Sequence, residues 1–381
     1  MAPEPTQQSE RHQDIESGAS PDPKPDGASA DPEAGAQDSS SKRARKIWVW
    51  AIITLLFAGG LAGGLAGYFV ANKSSSNSAS ANPPPPTETT NNQTGTFNTT
   101  SAKTATAQSA FTSFIPFTQP FVSPPDVLLG LQKLDLKKGA STLGIDTHAS
   151  NITARGFTIH ASTTRDTTIN EAVLQWMAVP PTTPAWTTDY QSGHFGTLSV
   201  RDRSDTGHVL NVGDVKFARP YTSPPRVVVW IHAFDFDAGR GWRLHAYPSN
   251  IRGAGFTVNV NTWSNTLLYS ANVSWVAWPA GDSSVVGNYW HPNMAKLANA
   301  TDKATAGFGN TSFVSFAQGE RRRAFPEPAA GFSRFDVNQN IGEMKIVLEN
   351  RVRETGMETT VRSFGNVSVG NNFEIAWLAA T

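Results

Sequence analysis

Gly255-Phe256-Thr257-Val258-Asn259-Val260-Asn261-Thr262-Trp263 sets Phe256, Val258 and Val260 at every second position, with Thr257, Asn259 and Asn261 between them. A period of two is that of a strand with one buried face, so the polar alternates are expected to face outward. The chain then turns through Ser264 and Asn265 towards Tyr269 and a second alternating run, Asn272-Val-Ser-Trp-Val-Ala277, with Val273, Trp275 and Ala277 inward. Two strands around an aromatic-bearing turn is the unit from which the rest of the chain is read.

That unit occurs three times. Gly156-Phe157 is followed by Trp176 as Gly255-Phe256 is by Trp275, and Gly356-Met357 with Trp377 is a worn copy. Phe117-Thr-Gln-Pro-Phe-Val-Ser-Pro-Pro125 matches Phe217-Ala-Arg-Pro-Tyr-Thr-Ser-Pro-Pro225 at an offset of 100. Leu134-Asp135-Leu136 matches Phe234-Asp235-Phe236 at the same offset, and Phe335-Asp336-Val337 follows in the third copy. A period near 100 is a small domain rather than a solenoid unit. The expected fold is all-β: three tandem antiparallel β-sandwich repeats over 95–180, 191–280 and 307–381, with Trp176, Trp275 and Trp377 in their cores. Pro224-Pro225 before Val227-Val-Val-Trp-Ile231 marks a strand entrance, where proline need not donate to a ladder.

Composition removes several functions. The 381 residues carry no net charge and no Cys, so disulfides, thiolate metal sites and Cys nucleophiles are excluded. Neutral balance gives no electrostatic footprint for nucleic acid. The eight His are scattered without ligand spacing, and no Gly-x-Ser-x-Gly or P-loop is present. Neither metal nor cofactor is expected, and the chain reads as a binding protein rather than an enzyme.

The first 40 residues hold nine acidic and two basic side chains and, beyond Met1, one large aliphatic, Ile15. Such a segment cannot bury enough apolar surface to offset its ordering entropy, so 1–46 reads as a disordered tail. Lys42, Arg43, Arg45 and Lys46 close it and abut Ile47–Ala71, 25 residues without a charge. At about 1.5 Å per residue that run spans a hydrocarbon core of about 30 Å, which a buried soluble helix has no need to do. It begins too far from Met1 for a cleaved signal peptide. Four cations on the N-terminal flank against Lys73 on the other put the N-terminus in the cytoplasm and the repeats outside or in a lumen. Gly59/Gly63, Gly60/Gly64 and Gly63/Gly67 fit either helix association or the ordinary abundance of Gly in membrane helices. A Ser/Thr/Asn/Pro stalk over 72–94 follows, stiffened by Pro83–Pro86. Glycosylation sequons lie beyond the anchor at Asn92, Asn98, Asn151, Asn299, Asn310 and Asn366, with Asn272 inside an expected strand.

The middle repeat resembles the H-type lectin domain, the six-stranded β-sandwich of snail agglutinins that bind N-acetylgalactosamine. The residues that carry the likeness are Val215–Pro225, Phe234-Asp-Phe236, Gly255-Phe256, Thr262-Trp-Ser-Asn-Thr-Leu-Leu-Tyr269 and Val273-Ser-Trp275. The resemblance implies a carbohydrate-binding protein for N-acetylgalactosamine or galactose-type glycans, acting in cell-surface recognition or adhesion. A sugar offers a C–H face and a rim of hydroxyls, which call for an aromatic platform and fixed polar partners. Trp263 and Tyr269 are the expected platform, with Ser264 and Asn265 beside them as hydroxyl partners. The resemblance adds Arg243, thirteen residues before Phe256, and Asp205 as the acceptor for two hydroxyls. Ser264 stands where the family often has His, which leaves the sugar open. At the positions of Arg243, Trp263 and Tyr269 the first repeat has Gly144, Thr164 and Asn170. The third keeps an aromatic, Phe364, but has Met344 and Lys345 for the Arg.

The family forms trimers in which each site draws on neighbouring subunits. Here the three repeats could close such a ring within one chain, or three chains could associate through their middle repeats. A structural or adhesive protein whose repeats bind protein or wall polymer without a sugar pocket is the alternative function. Asp235-Phe-Asp237 has the form of a glycosyltransferase metal motif, but Lys137 replaces the second Asp in the first repeat, which marks Asp235 as a repeat residue. Arg321–Arg323 reads either as solvated charge or as a processing site, and His291 as loop.

Overall fold

The computed structural model describes residues 88–89, 91–103, 109–180, 189–292, 309–315, 328–337, 342–353, 356–364 and 372–380. The expected tail 1–46, the span 47–71, the stalk as far as residue 87, Asn299, Arg321–Arg323 and Asn366 lie outside them. Among the described residues no helix is long and apolar enough to cross a membrane.

Each repeat supplies six strands in the same order. The first gives β1 (Gln93–Asn98), β2 (Ala110–Pro116), β3 (Asp126–Lys137), β4 (Thr142–Thr153), β5 (Gly156–Thr163) and β6 (Thr168–Val179). The second gives β7 (Gln191–Gly196), β8 (Leu210–Lys216), β9 (Arg226–Asp237), β10 (Trp242–Arg252), β11 (Gly255–Asn261) and β12 (Leu268–Trp278). The third gives β13 (Val285–Trp290), β14 (Gly309–Ser315), β15 (Ala329–Val337), β16 (Glu343–Arg353), β17 (Gly356–Ser363) and β18 (Asn372–Ala380). The first strand of the third repeat thus lies upstream of the expected start at 307. It pairs with β18 from Val285↔Ala380 to Trp290↔Ile375, but has no Gly-x-Phe marker to reveal it. At the other end β1 begins inside the expected stalk, and Thr89 donates to Pro120 O at 2.8 Å.

The sheets do not follow the repeats. Three antiparallel six-stranded sheets run β2-β5-β4-β9-β12-β7, β13-β18-β15-β10-β11-β8 and β1-β6-β3-β16-β17-β14. Every sheet joins three strands of one repeat to three of another, and each pair of repeats shares one sheet. The joins are short: β4 meets β9 over Thr142–Ile145, β10 meets β15 over Trp242–His245, and β16 meets β3 over Glu343–Val347. Tandem independent sandwiches are therefore not what forms; the repeats close a ring through shared hydrogen-bond ladders.

This changes what is buried. Trp176, Trp275 and Trp377 sit in the sandwich core as expected. The opposite face of β12 is covered too, and Val276 and Trp278 join Leu128, Val228, Trp230 and Ala376 in a second cluster. Asn259, expected outward, is buried and donates to Ser249 Oγ at 2.8 Å and Tyr247 O at 3.2 Å. β3, β9 and β15 touch one another at the centre. There the Trp230 indole donates to Ala376 O at 2.8 Å. A Cβ at Gly331 would lie 3.1 Å from Trp230 and 3.3 Å from Gly130, so one large and two minimal residues fill one layer.

Candidate functional site: the seams between repeats

Each join sets the same pair of positions opposite each other. Asp235 faces Gly144, Asp336 faces Arg243 and Asp135 faces Lys345. The Asp that recurs in every copy is thus a seam residue, and the residue opposite it belongs to a different repeat.

Between the second and third repeats, Arg243 Nε lies 3.0 Å from Asp336 Oδ1, both side chains being mostly buried. Arg243 Nη1 donates to Asn265 Oδ1 at 2.9 Å, which fixes the β11–β12 turn onto β10. Ser264 holds a left-handed φ of 59° in that turn, and Arg165 holds 46° at the matching turn of the first repeat. Trp263 is half-buried, and the Arg334 guanidinium of the third repeat lies 4.8 Å over its ring. Arg243, Trp263, Ser264 and Asn265 therefore come together, completed by Arg334 and Asp336.

Tyr269 faces the other way. Its ring carries Arg165 of the first repeat at 4.9 Å and Arg203 at 5.7 Å, and its hydroxyl lies 3.4 Å from Asp237 Oδ2. Burial, followed by the Asp237 charge, pushes the Tyr269 hydroxyl pKa up. Arg203 pairs with Asp235, whose carboxyl is buried and pushed up by desolvation. Asp205 is exposed in the same loop as Arg203 and lies 3.1 Å from His208 Nδ1. Five of the six expected site residues thus divide between two seams, four beside Arg243 and Asp336 and Tyr269 at the other, while Asp205 pairs with His208 of its own repeat. The third seam has Lys133 5.2 Å over Phe364, with Lys133 also paired to Glu171 at 2.6 Å.

All three seams combine a cation, an aromatic ring and a carboxylate drawn from two repeats. Arg203, Arg334 and Asp336 escaped the sequence reading. Only the recurrence of Leu-Asp-Leu, Phe-Asp-Phe and Phe-Asp-Val could have pointed to the Asp, and it gives no hint of which cation lies opposite. Among the described residues no three His, Asp or Glu side chains are grouped to hold a metal.

Of the sequons, Asn151 is exposed near the end of β4, at its irregularity between Ser150 and Thr153. Asn98 is committed, its amide donating to Glu171 Oε1 at 2.9 Å while its oxygen caps Thr100. Asn92 is half-buried at the start of β1, and Asn310 lies in the edge strand β14.

Residues 112–179 and 212–278 match the H-type lectin domain. The first two repeats are H-type lectin-like domains, and the third repeats their strand order. A protein of Fuscovulum blasticum, "ATP synthase subunits region ORF 7", is 31% identical over 64 residues, which cover 17% of this chain and 56% of that protein. The chain thus spans about half the length of the curated relative it matches. Among solved structures, recombinant discoidin II of Dictyostelium discoideum is 17% identical, with a TM-score of 0.22 over 40% of this chain and 73% of the other. The wild-type discoidin II of the same organism gives 17% and 0.21, over 41% and 74%.

Proposed function

We propose that the chain is a carbohydrate-binding protein held at a membrane by 47–71, with its N-terminus cytoplasmic and its repeats outside or in a lumen. N-acetylgalactosamine or galactose-type glycans are the expected ligands, and the seam between the second and third repeats the expected site. The observation that carries this reading is the convergence of Arg243, Trp263, Ser264 and Asn265 beside Asp336. It places an aromatic face, a guanidinium and carboxylate pair and exposed hydroxyl and amide groups within one shallow surface. The 25 uncharged residues behind four cations support the anchor.

Arg334 already covers one face of Trp263, so the sugar would stack on the other or displace the guanidinium. The same observation favours a second reading, an adhesive protein whose seams are satisfied internally. Glycan-array binding of the full chain separates them. Trp263→Ala and Arg243→Ala are each expected to lower binding about tenfold or more, as loss of about 1.4 kcal/mol would. Binding that persists in both variants removes this seam as the site; a folded wild-type chain that binds no glycan supports the adhesive reading. Protease protection of sealed vesicles checks the orientation: repeats shielded from added protease, with the tail digested, is the expected result.

A further inference from the structure

In all three repeats the ladder of the long central strand skips one residue: Gln132 in β3, His232 in β9 and Ser333 in β15. A bulge re-aims the side chain of the extra residue, and all three are polar and buried. Two are satisfied. Gln132 Nε2 donates to Gln175 Oε1 at 2.7 Å and to Ala330 O at 3.0 Å, and Ser333 Oγ donates to Glu374 Oε1 at 2.7 Å. His232 is 6% exposed, and its Nδ1 lies 3.1 Å from Thr147 O. A carbonyl can only accept, so Nδ1 carries the hydrogen and Nε2 presents a lone pair. That Nε2 has no hydrogen-bond partner among the described residues.

The His232 ring lines a cleft, with the His194 ring 5.7 Å from it. β4 leaves β9 after Ile145, and the wedge between them holds a cavity of about 330 Å³. Val127 and Leu129 of β3 form its floor with His232; Ile152, Phe195 and Asn272 form its walls, and the exposed Asp146 and His148 rim its mouth. The matching wedge between β10 and β15 is occupied by side chains. Asn272 and Glu374 each lie opposite the residue after the bulge, Ala233 and Arg334. Glu374 is held there by His245 Nε2 at 3.2 Å and His291 Nε2 at 2.9 Å. Where that wedge holds Glu374 hydrogen-bonded to His245 and His291, the other leaves Asn272 with the imidazoles of His194 and His232.

We infer that the cleft between β4 and β9 binds a small neutral molecule with an apolar body and one hydroxyl or amide N–H, which donates to His232 Nε2. The apolar floor excludes a charged body, Asp146 at the rim disfavours an anion, and the volume suits a single ring. Burial holds the imidazole neutral, with its pKa lowered to about 3, so the acceptor persists at neutral pH. None of the seam residues Arg243, Trp263 and Asn265 takes part, so the site stands or falls apart from glycan binding.

Phenol, with toluene as its donor-free counterpart, is the probe. The full chain labelled with ¹⁵N-histidine is titrated with each while the His232 Nε2 resonance is followed. Saturable binding of phenol with a hydrogen-bond shift at Nε2 is expected, and toluene should bind about tenfold more weakly. His232→Leu should erase the preference. Ala149→Phe, which fills the cleft from β4, should abolish binding of both, with the circular dichroism unchanged. Equal affinity for the two probes overturns the proposal. So does the absence of phenol binding, as when water alone satisfies Nε2, or phenol binding that survives Ala149→Phe.

Discussion

Single residues at the centre of the ring are not interchangeable among repeats. Trp230 fits because its counterparts Gly130 and Gly331 have no side chain, so Gly331→Leu should force the indole out of its place. A loss of about 1–3 kcal/mol is expected from overpacking, and about 3–5 kcal/mol from Trp230→Ala, both read by chemical denaturation. His232 gives a pH signature of known sign. Its pKa is lowered from 6.5 to about 3 by burial and by the neighbouring His194, so the unfolded chain takes up a proton that the fold refuses. Stability is therefore complete above about pH 6.5 and falls as the pH drops towards 3, and His232→Leu should flatten that slope. Glu374 adds a second acid-sensitive group. Burial pushes its carboxyl up, but hydrogen bonds from His245 and Ser333 outweigh this and hold it below its ordinary range. Its contribution is present above the ordinary carboxylate range and is lost as the pH falls through the lowered value. Glu374→Gln should remove that part of the acid transition, measured by denaturation against pH.

At the scale of the element, each seam rests on a ladder of four or five residue pairs, and one seam adds an ion pair between facing ladder residues. Arg243 and Asp336 form that pair between β10 and β15, where partial burial makes it stronger than a surface ion pair but short of a fully desolvated one. Asp336→Ala should cost about 1–2 kcal/mol, and a double-mutant cycle with Arg243→Ala should recover most of it as coupling. No coupling would mean that the short ladder alone holds the seam. Strand existence was legible: the alternation of Phe256, Val258 and Val260 gave β11, and the Trp of each copy gave β6, β12 and β18. The strand β13 escaped because Gly-x-Phe, the marker of its counterparts β1 and β7, is missing there. The outward assignment of Asn259 failed because period two says which face is apolar, not what later covers the other.

For the whole molecule, sheets shared between repeats predict one cooperative unit. Removing residues 285–381 would leave the β3 and β10 edges of two sheets unpaired, open to the edge-to-edge association that closed ladders prevent. Such a chain should aggregate or lose native circular dichroism, whereas three independent sandwiches would leave two folded repeats. Sequence by itself determined the strand pattern, the threefold recurrence and the core Trp residues, because alternation and spacing are local properties of the chain. It also marked Arg243, Trp263, Ser264, Asn265, Tyr269 and Asp205 as site candidates. Only tertiary structure decided which of them meet. Trp263 finds Arg334 and Tyr269 finds Arg165 because strands about one repeat apart pair across the seams, and no local rule specifies that partner.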